Sequence, residues 1–202
     1  MTCRFPQFGE SLPVRGDPGA LALLARRRSS SAQGLGEPGP SQEQIETLLR
    51  LGSRVPDHGK LAPWRFVVIE AGAKPKLLED LRALASGQKE PDVAVAKLAK
   101  LGAAPVTILV VSRIQPGSNI PVWEQELSAG AVCMTLLIAA QAMGFGANWI
   151  TDWYAYDPAA RRRFGLTADE RVAGFIHVGT PAEAPLERPR PDLAALVTHL
   201  DR

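Results

Sequence analysis

Cysteine is nearly absent: Cys3 and Cys133 are the only two in 202 residues. They form no C-x-x-C pair and no ligand cluster, so neither a disulfide framework nor a zinc site is suggested. Cys133 falls in an apolar helical run and reads as a small buried hydrophobe, a usage compatible with a reducing cytosol. Histidine is equally scarce. His58, His177 and His199 are too scattered to suggest a metal site, and no Ser/His/Asp triad can be argued. His177 stands inside an apolar strand pattern and reads as a satisfied core histidine. Long apolar runs are missing too. The most apolar stretch, Val132 to Met143, is about a dozen residues and contains Gln141, whereas a membrane-spanning helix needs roughly 20. The first residues, MTCRFPQFGESLPVRGDPG, hold no continuous apolar segment and so do not read as a secretory signal. A net charge of +2 implies neither a nucleic-acid nor a membrane partner. A cytoplasmic location is the expectation.

Phosphate-loop motifs are also lacking. There is no Walker-type loop. Gly144-Phe145-Gly146-Ala147-Asn148-Trp149 looks like half of a dinucleotide fingerprint, but Trp149 stands where the third glycine belongs. The motif also follows a helix and precedes a strand, the reverse of the order that fingerprint needs.

What is present is an ordinary globular composition, 46% hydrophobic and 22% charged, in a chain long enough for one core. Residues 1–19 read as an extension and 20–202 as one domain. Apolar spacing and capping residues predict helices over 20–28, from the Ser41 cap with its Gln44 capping box to about Arg54, over 75–85, over 92–101, from Val122 or Glu124 to Met143, and after Asp157-Pro158. WRFVVIE (64–70), VTILVVS (106–112), 147–151 and VAGFIHV (172–178) read as strands, with 106–112 suited to a central strand buried on both faces. A last short element is expected over 193–200. This order gives an α+β or mixed α/β three-layer domain.

Three segments carry candidate chemistry. Arg27-Arg28-Ser29 offers two guanidinium groups and a hydroxyl to a dianionic phosphate; the plainer reading is a solvated basic helix end. Arg54-Val55-Pro56-Asp57-His58 ends a helix in a cation and puts an imidazole in the following loop; the plainer reading is a Pro-Asp turn. The glycines of GFGANW let backbone approach a flat ligand, or simply stop the helix. WEQELSAG opens the long helix with small residues that permit close packing, and Glu124 and Glu126 suit its positive end.

In order along the chain, RRRSSS, ETLLRLGSRVPDHGKLAPWRFVVIE, PVWEQELSAGAVCMTLLIAAQAMGFGANWITD and GFIHVGTP resemble the nitroreductase superfamily. The likeness is greatest to its compact single-domain NAD(P)H nitroreductases with a Pro-Asp-His loop, and it covers about Ala20 to Pro181. The resemblance implies the FMN-dependent nitroreductase fold, an α+β three-layer sandwich with a mainly antiparallel sheet. It implies a homodimer built largely through long helices, with FMN at the subunit interface. Arg27, Arg28 and Ser29 would bind the FMN phosphate and ribityl region. Arg54 and His58 would also contact FMN, one of them from the partner, and Trp149, Ile150 and Thr151 would line the flavin. Ala139, Ala140, Gln141, Ala142, Met143 and Gly144 match the segment assigned to NAD(P)H. The flavin would carry the redox chemistry, so no catalytic side chain and no metal are assigned. The implied activity is ping-pong hydride transfer from NAD(P)H to a nitroaromatic, quinone or similar electrophile. A different flavin reaction or a non-enzymatic flavin-binding role remains an alternative. Ile150 departs from relatives that often carry a basic residue there, and the N-terminal extension is a second departure.

Overall fold

The run Val106–Ser112 is β-branched or apolar almost throughout, and every one of its residues is buried. It forms the interior strand β3 of the sheet. The computed structural model describes residues 4–200; Cys3 lies outside them. In chain order the elements are α1 (Pro18–Arg26), β1 (Leu35–Gly36), α2 (Gln42–Gly52), β2 (Trp64–Glu70), α3 (Lys74–Ala85), α4 (Pro91–Lys97), α5 (Ala99–Ala103), β3, α6 (Val122–Ala142), β4 (Gly146–Ile150), α7 (Trp153–Tyr156), α8 (Pro158–Arg163) and β5 (Arg171–Pro181). The sheet order is β1-β5-β3-β2, with β4 also paired to β5. Every pairing among the described residues is antiparallel.

Period-two alternation divides the core. Val106, Ile108 and Val110 of β3, with Ile176 and Val178 of β5, pack on Ile45 and Leu48 of α2 and on Val132, Cys133, Leu136 and Ala140 of α6. Leu109 and Val111, with Phe175, turn to the opposite face. There they meet Leu81 of α3, Leu101 of α5, Tyr154 of α7 and Ala160 of α8. The sheet is therefore the middle of three layers, the α+β sandwich the sequence predicts. Cys133 is fully buried, and burial pushes its thiol up to about 12.

Local rules account for most boundaries. Ser41 and Gln44 form the capping box that starts α2. Gly144, at φ 89°, ends α6 in a Schellman arrangement: Phe145 N donates to Ala140 O at 2.9 Å and Gly144 N to Gln141 O at 3.0 Å. Several boundaries differ from expectation. Asp17 caps Ala20 N at 3.0 Å with Pro18 in the first turn, so α1 starts two residues early and takes in the end of the extension. It also stops at Arg26, which leaves Arg27, Arg28 and Ser29 beyond the helix rather than on its end. The stretch 92–101 divides into α4 and α5. Among the described residues beyond Asp192, a single 3-10 turn, Leu193–Ala195, forms. The extension folds back on α2, where the Arg50 guanidinium lies 4.9 Å from the Phe5 ring centre.

The buried polar groups are few. His177 Nδ1 shares a hydrogen bond with Thr107 Oγ1 at 2.9 Å, and Thr107 Oγ1 accepts from Lys74 Nζ at 3.1 Å. Burial pushes His177 down to about 3, so it is neutral at pH 7, and lowers Lys74 to about 8. The sequence expectation of a core histidine holds, but its Nε2 has no partner, so it is only half satisfied. Across the sheet edge, Arg65 of β2 grips Glu170 in a fork, Nε to Oε1 at 2.6 Å and Nη2 to Oε2 at 2.7 Å. Its Nη2 also donates to Gly165 O at 2.8 Å. The Arg65 hydrogen bond holds the Glu170 carboxyl down at about 2.

A depressed carboxylate stabilises above its unfolded value, about 4.3, and that contribution is lost as pH falls through its folded value. Arg65→Ala should therefore lower the unfolding free energy by roughly 3 kcal/mol at pH 7, because it strands a buried charge. The gap between the two proteins should close as urea titrations move from pH 5 towards pH 2.

Candidate functional site

The extended segment Arg27–Ser31 leaves α1 and runs beside β4. Ser30 is buried, and its N–H donates to Ala147 O at 3.0 Å. Gly146 permits this approach. A Cβ there would meet Ser30 Oγ at 2.7 Å and a Leu35 methyl at 2.8 Å. The close approach read from this glycine is thus made, in part, by the chain itself. The segment walls a cleft of about 390 Å³, lined by Arg26, Arg27, Arg28, Ser30, Gln141, Gly144, Phe145, Gly146 and residues of the C-terminal tail.

The three arginines are not equivalent. Arg26 Nε donates to Ala22 O at 3.4 Å, which is the plain helix-end role. The Arg28 side chain is only 21% exposed. Its Nη1 is buried without a hydrogen-bond partner. The nearest acid is Glu187 of the tail, whose carboxylate stands 3.6 Å away, outside hydrogen-bond range. A buried, permanently charged donor lacking an acceptor is costly unless an anion completes it. Both α1 and α6 present their C-terminal ends here, and such ends repel anions. Anion attraction at this cleft therefore comes from the guanidinium groups. Ser29, next to Arg28, is exposed.

His58 lies elsewhere. It sits at the opening of α6, where its Nδ1 pairs with Glu124 Oε2, in a second cleft of about 260 Å³ formed with Pro56, Asp57, Leu127, Ser128 and Ala131. The backbone here is unusual: His58, Gly59, Lys60 and Ala62 have φ of 46°, 85°, 64° and 44°. Left-handed non-glycine residues cost of order 1–3 kcal/mol each and persist only when their surroundings impose them. Asp57 does so, accepting from Lys60 N at 3.2 Å and Ala62 N at 2.9 Å. Ser128 of α6 helps, accepting from Trp64 Nε1 at 3.1 Å and donating to Pro56 O at 2.8 Å. Arg54 is exposed just past the end of α2. No spacing rule links His58 to Glu124, so that pair leaves no signal in the sequence.

The remaining predicted residues divide. Trp149 is 38% exposed, and its Nε1 donates to Ala173 O at 3.2 Å. Ile150 is half-buried beside Lys100, Asn148 and Ser31, and Thr151 Oγ1 bonds Tyr156 Oη at 3.0 Å. Of the segment Ala139 to Gly144, Gln141 and Gly144 line the arginine cleft. Ala142 is exposed and Met143 half-buried. Ala139 and Ala140 have their side chains in the core.

Fold and site together define an α+β sandwich with a basic cleft at one end of its longest helix and a constrained imidazole loop at the other. The chain belongs to the nitroreductase family, whose model matches residues 24–180. It is 38% identical over 164 residues to "Putative NAD(P)H nitroreductase YdjA" of Escherichia coli (strain K12), covering 80% of this chain and 88% of that one. Its fold is that of a nitroreductase-like family protein from Bacillus cereus (TM-score 0.80, 19% identity, 93% of this chain and 99% of that one). It is also that of a nitroreductase with bound FMN from Bacteroides fragilis (TM-score 0.69, 18% identity, 92% and 100%). Among the described residues, no helix is long and apolar enough to cross a membrane.

Asp57→Ala removes the two acceptors that hold the left-handed loop. Limited proteolysis should then cut between residues 57 and 62 faster than in the parent. Thermal unfolding should show a loss of about 1–2 kcal/mol. An unchanged cleavage rate would mean that something other than Asp57 holds the loop.

Proposed function

We propose that the protein binds FMN at the Arg27–Arg28 cleft and acts as a homodimeric oxidoreductase. In this reading it takes hydride from NAD(P)H and delivers it to a nitroaromatic, quinone or similar small electrophile in a ping-pong cycle. The observation that carries this reading is the buried Nη1 of Arg28, which has no hydrogen-bond acceptor and only a 3.6 Å ion pair to the exposed Glu187, beside a second arginine. A phosphate dianion supplies the acceptors that this group lacks. The family's "NAD(P)H nitroreductase" relative and FMN-bound structural neighbour point the same way. When bound, FMN supplies the two-electron chemistry, accepting hydride from the nicotinamide and passing it on.

The chain's own residues then bind and orient. Arg27 and Arg28 hold the phosphate, and the Ser29 hydroxyl serves the phosphate and ribityl region. Trp149, Ile150 and Thr151 border the flavin. Gln141, Ala142 and Gly144 are the accessible part of the segment assigned to NAD(P)H. Arg54 also contacts the flavin, and His58 completes the site from the other subunit.

Geometry supports two subunits. Glu124, beside His58, and Gln141, beside Arg28, lie 17 residues apart on α6. At 1.5 Å per residue that is about 25 Å, more than one FMN spans. A site using both the arginines and His58 therefore needs two copies. The outer side of α6 is apolar, with Trp123 67% and Leu127 52% exposed, as a helix-mediated interface requires.

Anaerobic spectra of the FMN-loaded protein with NADH, then NADPH, test the reaction. Bleaching establishes the reductive half-reaction. A bound flavin that stays oxidised with both donors points to a flavin-binding role. Arg28→Ala should raise the FMN dissociation constant about ten- to a hundredfold, and an unchanged value would remove the phosphate assignment. Leu127→Glu should convert a dimer to a monomer in light scattering and weaken FMN in parallel. A Leu127→Glu protein that stays dimeric and keeps its flavin would count against α6 as the interface.

A further inference from the structure

The segment that carries Arg27 and Arg28 has no regular structure of its own, yet its backbone is held at three successive groups. Gln141 Nε2, from the last turn of α6, donates to Arg28 O. Ser30 N donates to Ala147 O at 3.0 Å. Asn148 Nδ2, from β4, donates to Ser30 O. Two of the three bonds come from amide side chains mounted on rigid elements. Such mounting is what fixes the aim of a neighbouring side chain.

The two amides are unusual in what they leave unmade. Gln141 Oε1 and Asn148 Oδ1 are both buried without partners. An orphaned buried oxygen is destabilising, and an apolar side chain of the same shape would avoid it. What an apolar side chain would not provide is the donated N–H, and both N–H groups go to carbonyls of the arginine segment. The use of both amides is thus one-sided, and it converges on the residues flanking Arg28.

We infer that Gln141 and Asn148 are positioning residues, a two-amide clamp that holds the Arg28–Ser30 backbone so that the Arg28 guanidinium meets an anionic phosphate. The inference rests on the flavin reading above. It gives Gln141 a role on the phosphate side of the site, apart from any contact with the nicotinamide donor.

The test compares FMN with riboflavin, which is the same ring and ribityl chain without the phosphate. Dissociation constants for both are measured by flavin fluorescence on the full chain. The proteins are the parent, Gln141→Leu, Asn148→Leu, Arg28→Ala and the Gln141→Leu/Arg28→Ala pair. Each clamp variant should weaken FMN about five- to tenfold, the equivalent of one hydrogen bond's guidance, while riboflavin moves less than about twofold. In the Arg28→Ala background, Gln141→Leu should leave the FMN-to-riboflavin ratio unchanged, because the group it aims is gone. Equal weakening of both ligands, or an effect that persists without Arg28, overturns the clamp in favour of general packing. So does an unchanged FMN affinity. If Gln141→Leu does not fold, Gln141→Met, which keeps the length, stays neutral and loses the donor, carries the same prediction. A parent that binds FMN through Arg28 while the clamp variants match it defeats this inference alone. A parent that binds neither ligand defeats the flavin reading and the clamp together.

Discussion

The packing of α6 against the β3–β5 face is the constraint on which the rest of the structure depends. Val132, Cys133, Leu136 and Ala140 lock one side of this helix to the sheet, so its two ends are fixed points. At one end Glu124 and Ser128 set the His58 loop. At the other, Gln141 and the turn at Gly144 set the arginine segment. Helix length then sets how far apart the two groups stand, about 25 Å. In the proposed reading, dimerisation follows from that length: the protein completes its site by turning the apolar outer side of the same helix to a second copy.

Charge placement matters more here than charge total. A net charge of +2 spread over the surface would steer nothing in particular. Concentrating three consecutive arginines in one cleft, with Glu187 the nearest acid, makes a local field for an anion where both helix dipoles oppose one. The use of guanidinium groups is consistent with that handicap. A charge-assisted hydrogen bond is worth about 1.5–3 kcal/mol, while a surface helix-end effect is typically 0.3–1 kcal/mol. The arginines outweigh the helix ends locally, which is what the proposed phosphate site needs.

Much of the fold was readable because its rules are local. The Ser41–Gln44 box, the Asp157-Pro158 start, the stop at Gly144 and the unbroken apolar run of β3 each involve neighbours in sequence. What escaped depends on distant partners. β5 runs on to Pro181 because Leu35 and Gly36 pair with its end, and two residues are too few to show a strand period. α7 is a four-residue turn capped by Asp152, too short for helical spacing. Lys74 reads as a surface residue at the start of a helix, yet it is buried with its ammonium on Leu101 O, Ala104 O and Thr107. The candidate site was legible as residue types in order. Its internal wiring, Gln141 to Arg28 and His58 to Glu124, joins residues 113 and 66 positions apart, and no periodicity reports such pairs.

In the proposed reading the flavin carries the redox chemistry and the residues of the site bind and orient. A cofactor that brings its own redox chemistry asks the protein for binding, orientation and electrostatics. Orientation is where this chain departs most from plain packing. It keeps non-glycine residues in left-handed backbone from His58 to Ala62, and it leaves two amide oxygens buried without partners beside the arginines. Both features destabilise the fold, and each is compensated only by bonds that fix a candidate ligand group. Asp57 and Ser128 hold the imidazole loop, while Gln141 and Asn148 hold the arginines. Local departures from the lowest-energy choice, at the two ends of one rigid helix, are what a preorganised binding site requires of a fold that is otherwise conventionally packed.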